Sequence, residues 1–260
     1  MTGPSIAFGR IVYPLPVLWA YAAIDGIPGY GAIDPHLLVV FGIAVPLEII
    51  ALMLYIRALK ISPLSLTVPF LSLTPAFLLV TSPVIMGEKT GTAGAVGVLC
   101  ITFGAYVLFM NGEKSGPLAP FRQMFREKGA LLMIIVAFIY SITSNFGKMG
   151  VLYSSPSFFA ASYYSALAMV IFSMNARRGF IAMVAKKELI FIGLASALMI
   201  TFHMLAIRLV VVPYMISLKR SSLLISIILG GILFHEKGMA HKLAGGVIMM
   251  IGILLVAILG

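Results

Sequence analysis

Nine apolar runs, each of about 20 residues, follow one another along this chain with only short breaks between them. A run of that length crosses a hydrocarbon core about 30 Å thick as one helix. Inside a bilayer each backbone polar group must find its partner within the protein, which leaves helices and closed barrels. The runs are continuous rather than alternating, which argues against a barrel. Composition points the same way. Only 10% of the residues are charged and 61% are hydrophobic, against about 25% charged in a soluble domain. So few charges cannot coat a water-facing surface. The expected fold class is an all-α polytopic membrane protein.

The spans are expected at roughly 6–24, 37–58, 64–85, 93–111, 129–150, 157–174, 188–208, 211–234 and 242–259. Pro28, Gly29, Gly31 and Pro35 break the first pair, Ile61-Ser62-Pro63 the second, and Glu88 to Thr92 the third. The longest link, Asn111 to Lys128, joins two halves, 1–112 and 113–260. Within it Leu118, Phe121, Met124 and Phe125 share one helical face, the pattern of a helix lying in the interface. A linker is favoured there over a binding site.

Sorting the 18 lysines and arginines by loop puts thirteen on one side of the membrane and three, Lys89, Lys148 and Arg208, on the other. The positive-inside rule makes the richer side cytoplasmic and leaves the C-terminus outside. The net charge of +10 is then a topology signal, and nucleic acid is not an expected partner. The single cysteine, Cys100, excludes an intrachain disulfide, a CxxC pair and a cysteine-rich metal site. The start shows no pattern of a cleavable signal.

Two cations remain, Lys219 and Arg220, inside the apolar run that starts near Val211. A shift of 148 residues shows what surrounds them. It lays Glu88 on Glu236, Lys89 on Lys237, Gly97 on Gly245, Gly104 on Gly252 and Ala58 on Ala206, without a gap. Each glycine pair is seven residues apart, two turns, so both glycines share a face on which neighbouring backbones can approach closely. The second half carries five spans. Copies with an odd number of spans lie in opposite orientation, and such inverted repeats are a transporter architecture with the substrate near the midplane. The first half has four spans. Pro4-Ser5 resembles Pro156-Ser157, so the counterpart of the span at 129–150 is missing ahead of it.

Ala58-Leu59, Pro69 with Pro75, Gly87-Glu88-Lys89, Gly97 with Gly104, Phe234-His235-Glu236-Lys237, Gly245 and Gly252 together resemble the EamA-like branch of the drug/metabolite transporter superfamily. The resemblance covers nearly the whole chain and is diffuse. It implies a fold of ten helices in two inverted repeats, here nine transmembrane helices with the first absent, and a central cavity between the copies. It implies a prokaryotic inner-membrane location. Members of the phosphate-translocator branch of the superfamily resemble this chain in carrying a Lys-Arg pair in the corresponding late helix, which implies an anionic, phosphate- or carboxylate-bearing solute.

Lys219 and Arg220 lie eight and nine residues into their span, roughly 12 Å deep. Snorkelling is one account of them. A polar cavity is the favoured one, because a central cation costs about 2.5–3.5 kcal/mol to insert. The shift lands them on Leu71 and Ser72, so they break the repeat. Glu48 is the acid deep inside a span; it is expected to pair with Lys219 or Arg220, to carry a coupling proton, or to sit at the lipid interface, with pairing favoured. Tyr55 and His203 are equivalent under the shift, and His203 is a candidate for substrate contact or proton coupling. Tyr140, Ser144, Asn145 and Lys148 form one polar stripe, read either as cavity lining or as cross-helix packing. Trp19 and Tyr21 are expected to face lipid or the interface. Glu88 and Glu236 are expected to orient helix ends. His235, Glu236 and His241 do not make the HExxH spacing of a zinc site.

The expected function is secondary active transport of a small polar organic solute, anionic on the evidence of Lys219 and Arg220, by alternating access. Lys219, Arg220, His203, Tyr55, Asn145 and Tyr140 are the expected substrate-binding residues, with Glu48 or His203 coupling protons. No catalytic residue, cofactor or metal is expected. The lipid bilayer is a partner, and a homodimer is left open. The rivals are a drug or amino-acid exporter of the same fold, a membrane scaffold or sensor, and an intramembrane enzyme acting on lipid.

Overall fold

The computed structural model describes residues 10–29, 33–62, 67–108, 127–175, 188–222, 224–225 and 239–259. Among them are nine α-helices and one 3-10 segment, and no strand. The helices are α1 (Leu15–Asp25), α2 (Leu37–Ile61), α3 (Thr74–Met86), α4 (Thr92–Leu108), α5 (Lys128–Tyr153), α6 (Pro156–Asn175), α7 (Glu188–Leu209), α8 (Val212–Arg220) and α9 (Met239–Leu259). The 3-10 segment, Val68–Leu73, leads directly into α3. Each helix overlaps one expected span. Five helical runs are long and apolar enough to cross a membrane: Leu37–Ile61, Val68–Met86, Lys128–Tyr153, Pro156–Ser173 and Ile190–Leu209. The chain is an all-helical protein compatible with integration in a bilayer. Large apolar side chains stand outward, such as Leu38 at 79% exposure and Phe191 at 79%, as lipid contact requires rather than penalises. The expected interfacial helix at 118–125, the end of the eighth span and Glu236-Lys237 lie outside the described residues.

The fold divides into two units, Met1–Ile49 with Phe146–Leu209, and Ile50–Asn145 with Val210–Gly260. Each draws on both halves of the sequence, and the division passes through the lengths of α2 and α5.

In the first unit α1 lies on α6. Leu18 and Ala22 are fully buried there. The Trp19 indole donates to Ser165 Oγ at 3.0 Å and meets Phe158 edge-on. Trp19 remains 39% exposed, so its helix contact covers only part of the ring. Phe41, Phe159 and Tyr163 form an aromatic cluster, with Phe159 and Tyr163 stacked at 5.3 Å. Gly193 lets α7 approach Tyr13: a Cβ there would lie 2.3 Å from the tyrosine Cβ.

In the second unit the central contact is α4 against α9. A Cβ on Gly97 would lie 2.8 Å from the Gly252 carbonyl oxygen, and one on Gly252 would lie 2.6 Å from that of Gly97. At the next crossing a Cβ on Gly104 would meet the Gly245 carbonyl at 2.7 Å. The partner number falls as the residue number rises, so the two helices are antiparallel. Val98, Ile101, Ala105, Met249 and Val256 fill the seam as a buried cluster.

Within each unit, hydrogen bonds join segments that flank different helices. Ser62, after α2, donates to Glu127 Oε2 at 2.9 Å, just before α5. Asp34 donates its backbone N–H to the Tyr153 carbonyl at 3.0 Å. Asp25, ending α1, accepts a short hydrogen bond from Ser157 at the start of α6. Glu88, after α3, reaches the start of α8.

Candidate polar site in the second unit

Arg220 ends α8, a nine-residue helix that opens on Val212-Pro213. Its first turn is fully provided for. Pro213 has no N–H, and the N–H groups of Tyr214 and Met215 both reach the Val211 carbonyl, at 3.1 and 3.2 Å. The remaining donor, the Val212 N–H, is accepted by Glu88 Oε2 at 2.9 Å. The same carboxylate oxygen accepts from Ser82 Oγ at 3.0 Å. Glu88 is delivered by Gly87, which ends α3 in the left-handed region at φ 70°, where glycine alone pays no steric cost. The Tyr214 hydroxyl accepts from the Gly91 N–H at 3.2 Å and tucks where a Cβ on Gly94 would sit. Glu88 thus orients a helix end, but the end is that of α8.

At the other end of α8, Arg220 Nη2 donates to the Leu71 carbonyl at 3.1 Å. That oxygen belongs to the last turn of the 3-10 segment and is already the acceptor of the Thr74 N–H and of Thr74 Oγ1, the latter at 2.9 Å. Arg220 Nε is buried and has no partner among the described residues. No described carboxylate pairs with the guanidinium. Lys219, next in the chain, points elsewhere: it is exposed and has partners of its own.

Five residues beyond Tyr140 on α5 is Asn145, fully buried. Its Nδ2 donates to the Ser141 carbonyl at 2.8 Å and to Thr81 Oγ1 on α3 at 3.2 Å. Its Oδ1 is buried without a partner among the described residues. Ser144 turns inward on its own helix, donating to the Tyr140 carbonyl at 2.6 Å. Tyr55 is half-buried on α2, in this same unit.

The structure therefore gathers Arg220, Tyr140 and Asn145 in one unit, on α8 and α5. Glu48, His203 and Lys148 belong to the first unit. Glu48 is half-buried and acts electrostatically on Tyr164, as does Arg10. Lys148 is buried, His203 half-buried, and each has partners. Thr81, Ser141 and Leu71 escape notice in the sequence. Hydroxyls and carbonyls in apolar helices carry no pattern that singles them out, and Leu71 enters through its backbone alone.

Outside the spans, Asp34 Oδ1 accepts from the backbone N–H of His36 at 2.8 Å and pairs with its ring Nδ1 at 2.7 Å. The backbone bond first, and then the imidazole, hold the Asp34 carboxyl below the ordinary aspartate range.

No family model and no curated protein matches the sequence. The fold is similar to a solved structure described only as "Crystal structure of protein". The likeness covers 100% of this chain and 90% of that one, with a TM-score of 0.73 at 17% identity. At that identity it speaks to the fold alone.

Proposed function

We propose that this protein is a secondary transporter that moves a small polar organic solute, anionic in part, across the membrane by alternating access. One observation carries the reading. A guanidinium lies in an apolar helical bundle with no described carboxylate beside it and with Nε unpartnered. An unneutralised cation at membrane depth is costly, and such residues usually face a polar cavity or pathway. Its natural complement is an anion that comes and goes.

The antiparallel seam supports the wider reading. Gly97 and Gly104 correspond to Gly245 and Gly252 under the 148-residue shift. Helices equivalent by sequence and opposite in direction are what inverted repeats require. On this reading the chain has the EamA-like fold of the drug/metabolite transporters, with nine spans, in a prokaryotic inner membrane. Its C-terminus lies outside by the positive-inside rule. Glu48 or His203 carries the coupling proton, and no covalent step is involved.

The test is solute flux in proteoliposomes reconstituted with the purified chain. Candidate organic anions are taken up or released by the wild type, and the Lys219→Ala, Arg220→Ala double variant loses at least about 90% of that flux, a tenfold loss. Undiminished flux in the double variant would remove these cations from the site.

A further inference from the structure

We propose that the Arg220–Leu71 hydrogen bond is a releasable pin across a paired hinge, and that an oxyanion gripped by Arg220 draws the pin. The role of the anion rests on the transporter reading, whereas the paired hinge stands apart from it.

The hinge occurs twice in the chain. In the first copy the Thr74 N–H and Oγ1 both donate to Leu71, the carbonyl three residues back, where the 3-10 segment gives way to α3. In the second copy Ser222 Oγ donates to the Lys219 carbonyl at 2.9 Å, again three residues back, just past the end of α8. The 148-residue shift lays Thr74 on Ser222 and Leu71 on Lys219. The backbone tightens in the second copy too: the N–H groups of Ser221 and Leu224 reach the Leu218 and Ser221 carbonyls at 3.0 and 2.9 Å. Short 3-10 stretches within a helical run often mark hinges. Interruptions at corresponding positions of two repeats are where transporters of inverted design place their working parts.

The two helices at these hinges are tied at both ends. Glu88, just past α3, accepts the Val212 N–H that opens α8. Leu71, just ahead of α3, accepts from Arg220, which closes α8. The helices therefore run antiparallel. The first tie supplies the acceptor that the Val212 N–H needs. The second is surplus to its acceptor: a carbonyl oxygen has two lone pairs, and the two donors of Thr74 already fill them. One end of the pair is fixed and the other can let go. Ser72, which takes the place of Arg220 in the first copy, donates its hydroxyl to the Pro69 carbonyl at 2.6 Å, so the pin runs one way only.

The guanidinium supplies the trigger. Nη2 holds Leu71 at 3.1 Å, and Nε beside it is buried and open among the described residues. Nε and Nη2 together form the side of a guanidinium that grips a carboxylate or a phosphate through two parallel bonds. An anion seated there takes Nη2 as well as Nε. Arg220 then exchanges one bond to a neutral carbonyl for two bonds to opposite charge. Leu71 is released with its bonds from Thr74 intact, and both hinges are free to bend.

The experiment is hydrogen–deuterium exchange of the purified full chain in lipid nanodiscs, read by mass spectrometry over residues 70–78 and 218–222, with 97–105 in α4 as reference. Arg220→Met speeds exchange over both hinge stretches at least about tenfold, the effect of losing one hydrogen bond from a charged group, and leaves the reference unchanged. Inorganic phosphate or citrate does the same to the wild type and adds nothing to Arg220→Met. Should Arg220→Met not fold, the wild type with and without the two anions decides alone. Unchanged exchange in Arg220→Met, a response in only one hinge stretch, or a rise that includes the reference overturns the pin. A wild type indifferent to both anions overturns its release by an anion. Flux in proteoliposomes separates these outcomes from the transporter reading. Phosphate or citrate flux that Arg220→Met retains, with both hinges loosened, would sink the substrate role of Arg220 and leave the hinge standing. Flux abolished by Arg220→Met with both hinges still tight would do the reverse.

Discussion

The carboxylate of Glu88 accepts the backbone N–H of Val212 at 2.9 Å, closing the first turn of the helix that ends in Arg220. The turn after α3 and the start of α8 are thereby tied together. A helix N-terminus favours a carboxylate both as hydrogen-bond acceptor and as negative charge. Glu88→Ala should cost about 0.5–2 kcal/mol, the usual loss for a helix cap. Glu88→Gln, which keeps an acceptor oxygen, should cost less. Thermal unfolding of the detergent-solubilised variants checks this, and a Glu88→Ala protein as stable as wild type would show the cap to be incidental.

Arg220 invites a different stability experiment. A guanidinium that holds a fold together weakens it when removed. One kept for a ligand does not. The Leu71 carbonyl would still hold its two bonds from Thr74 after Arg220 is lost. Arg220→Met should therefore leave thermal stability unchanged or raise it, by up to about 4 kcal/mol, as replacing buried ionic groups by apolar ones can do. Flux should vanish in the same variant. A fall of several degrees in Tm would assign the guanidinium to structure.

The seam between α4 and α9 predicts sharp intolerance. Gly97→Ala and Gly252→Ala each drive a methyl group against a backbone carbonyl, which cannot move aside as a side chain would. Each should cost about 1–3 kcal/mol, the range for overpacking. Gly147→Ala is the control. A Cβ there meets nothing within 4 Å, and within a helix alanine is favoured over glycine by about 0.5–1 kcal/mol. Chemical denaturation of the three variants ranks them, and equal stabilities would remove the seam as a close contact.

Asp34 makes a prediction about acid. Its carboxyl binds a proton less readily in the fold than in the unfolded chain, first because of the His36 N–H. The associated stability is present above the ordinary aspartate range and is lost as pH falls through the lowered value. The Tm difference between wild type and Asp34→Asn should hold from neutral pH down to about pH 4 and then shrink. A difference that does not change between pH 7 and pH 2 would contradict the assignment.

Much of this fold was legible in the chain because length and apolarity in a bilayer leave few choices. Spans are set by the hydrocarbon thickness, and breaks by residues such as Pro28, Gly87 and the Glu88 to Thr92 stretch. The glycine register was legible too: Gly97 and Gly104 share a face by spacing alone, though nothing in the spacing says that Gly252 and Gly245 lie opposite them. The candidate site was legible in its ionic and amide members, since Arg220 and Asn145 are conspicuous against apolar neighbours. Its remaining members were not. Thr81 and Ser141 look like any small helix residues, and the Leu71 carbonyl has no sequence signature. The adjacent cations Lys219 and Arg220 also part in the fold, Lys219 exposed and Arg220 donating to the Leu71 carbonyl. Successive helix residues point about 100° apart, and only Arg220 turns into the bundle.

The α4–α9 seam has a further property. Exchanging each glycine for its counterpart 148 residues away turns the Gly97–Gly252 contact into Gly245–Gly104, which is the other contact. The seam maps onto itself, as the face of a two-fold dimer does, although one chain supplies both sides. A two-chain dimer would feel any one substitution twice. Here a change at Gly97 is felt once, and Gly245–Gly104 keeps its original fit. The single chain can therefore let the two ends of its seam diverge, one holding firm while the other loosens, a freedom that a dimer of identical chains does not have.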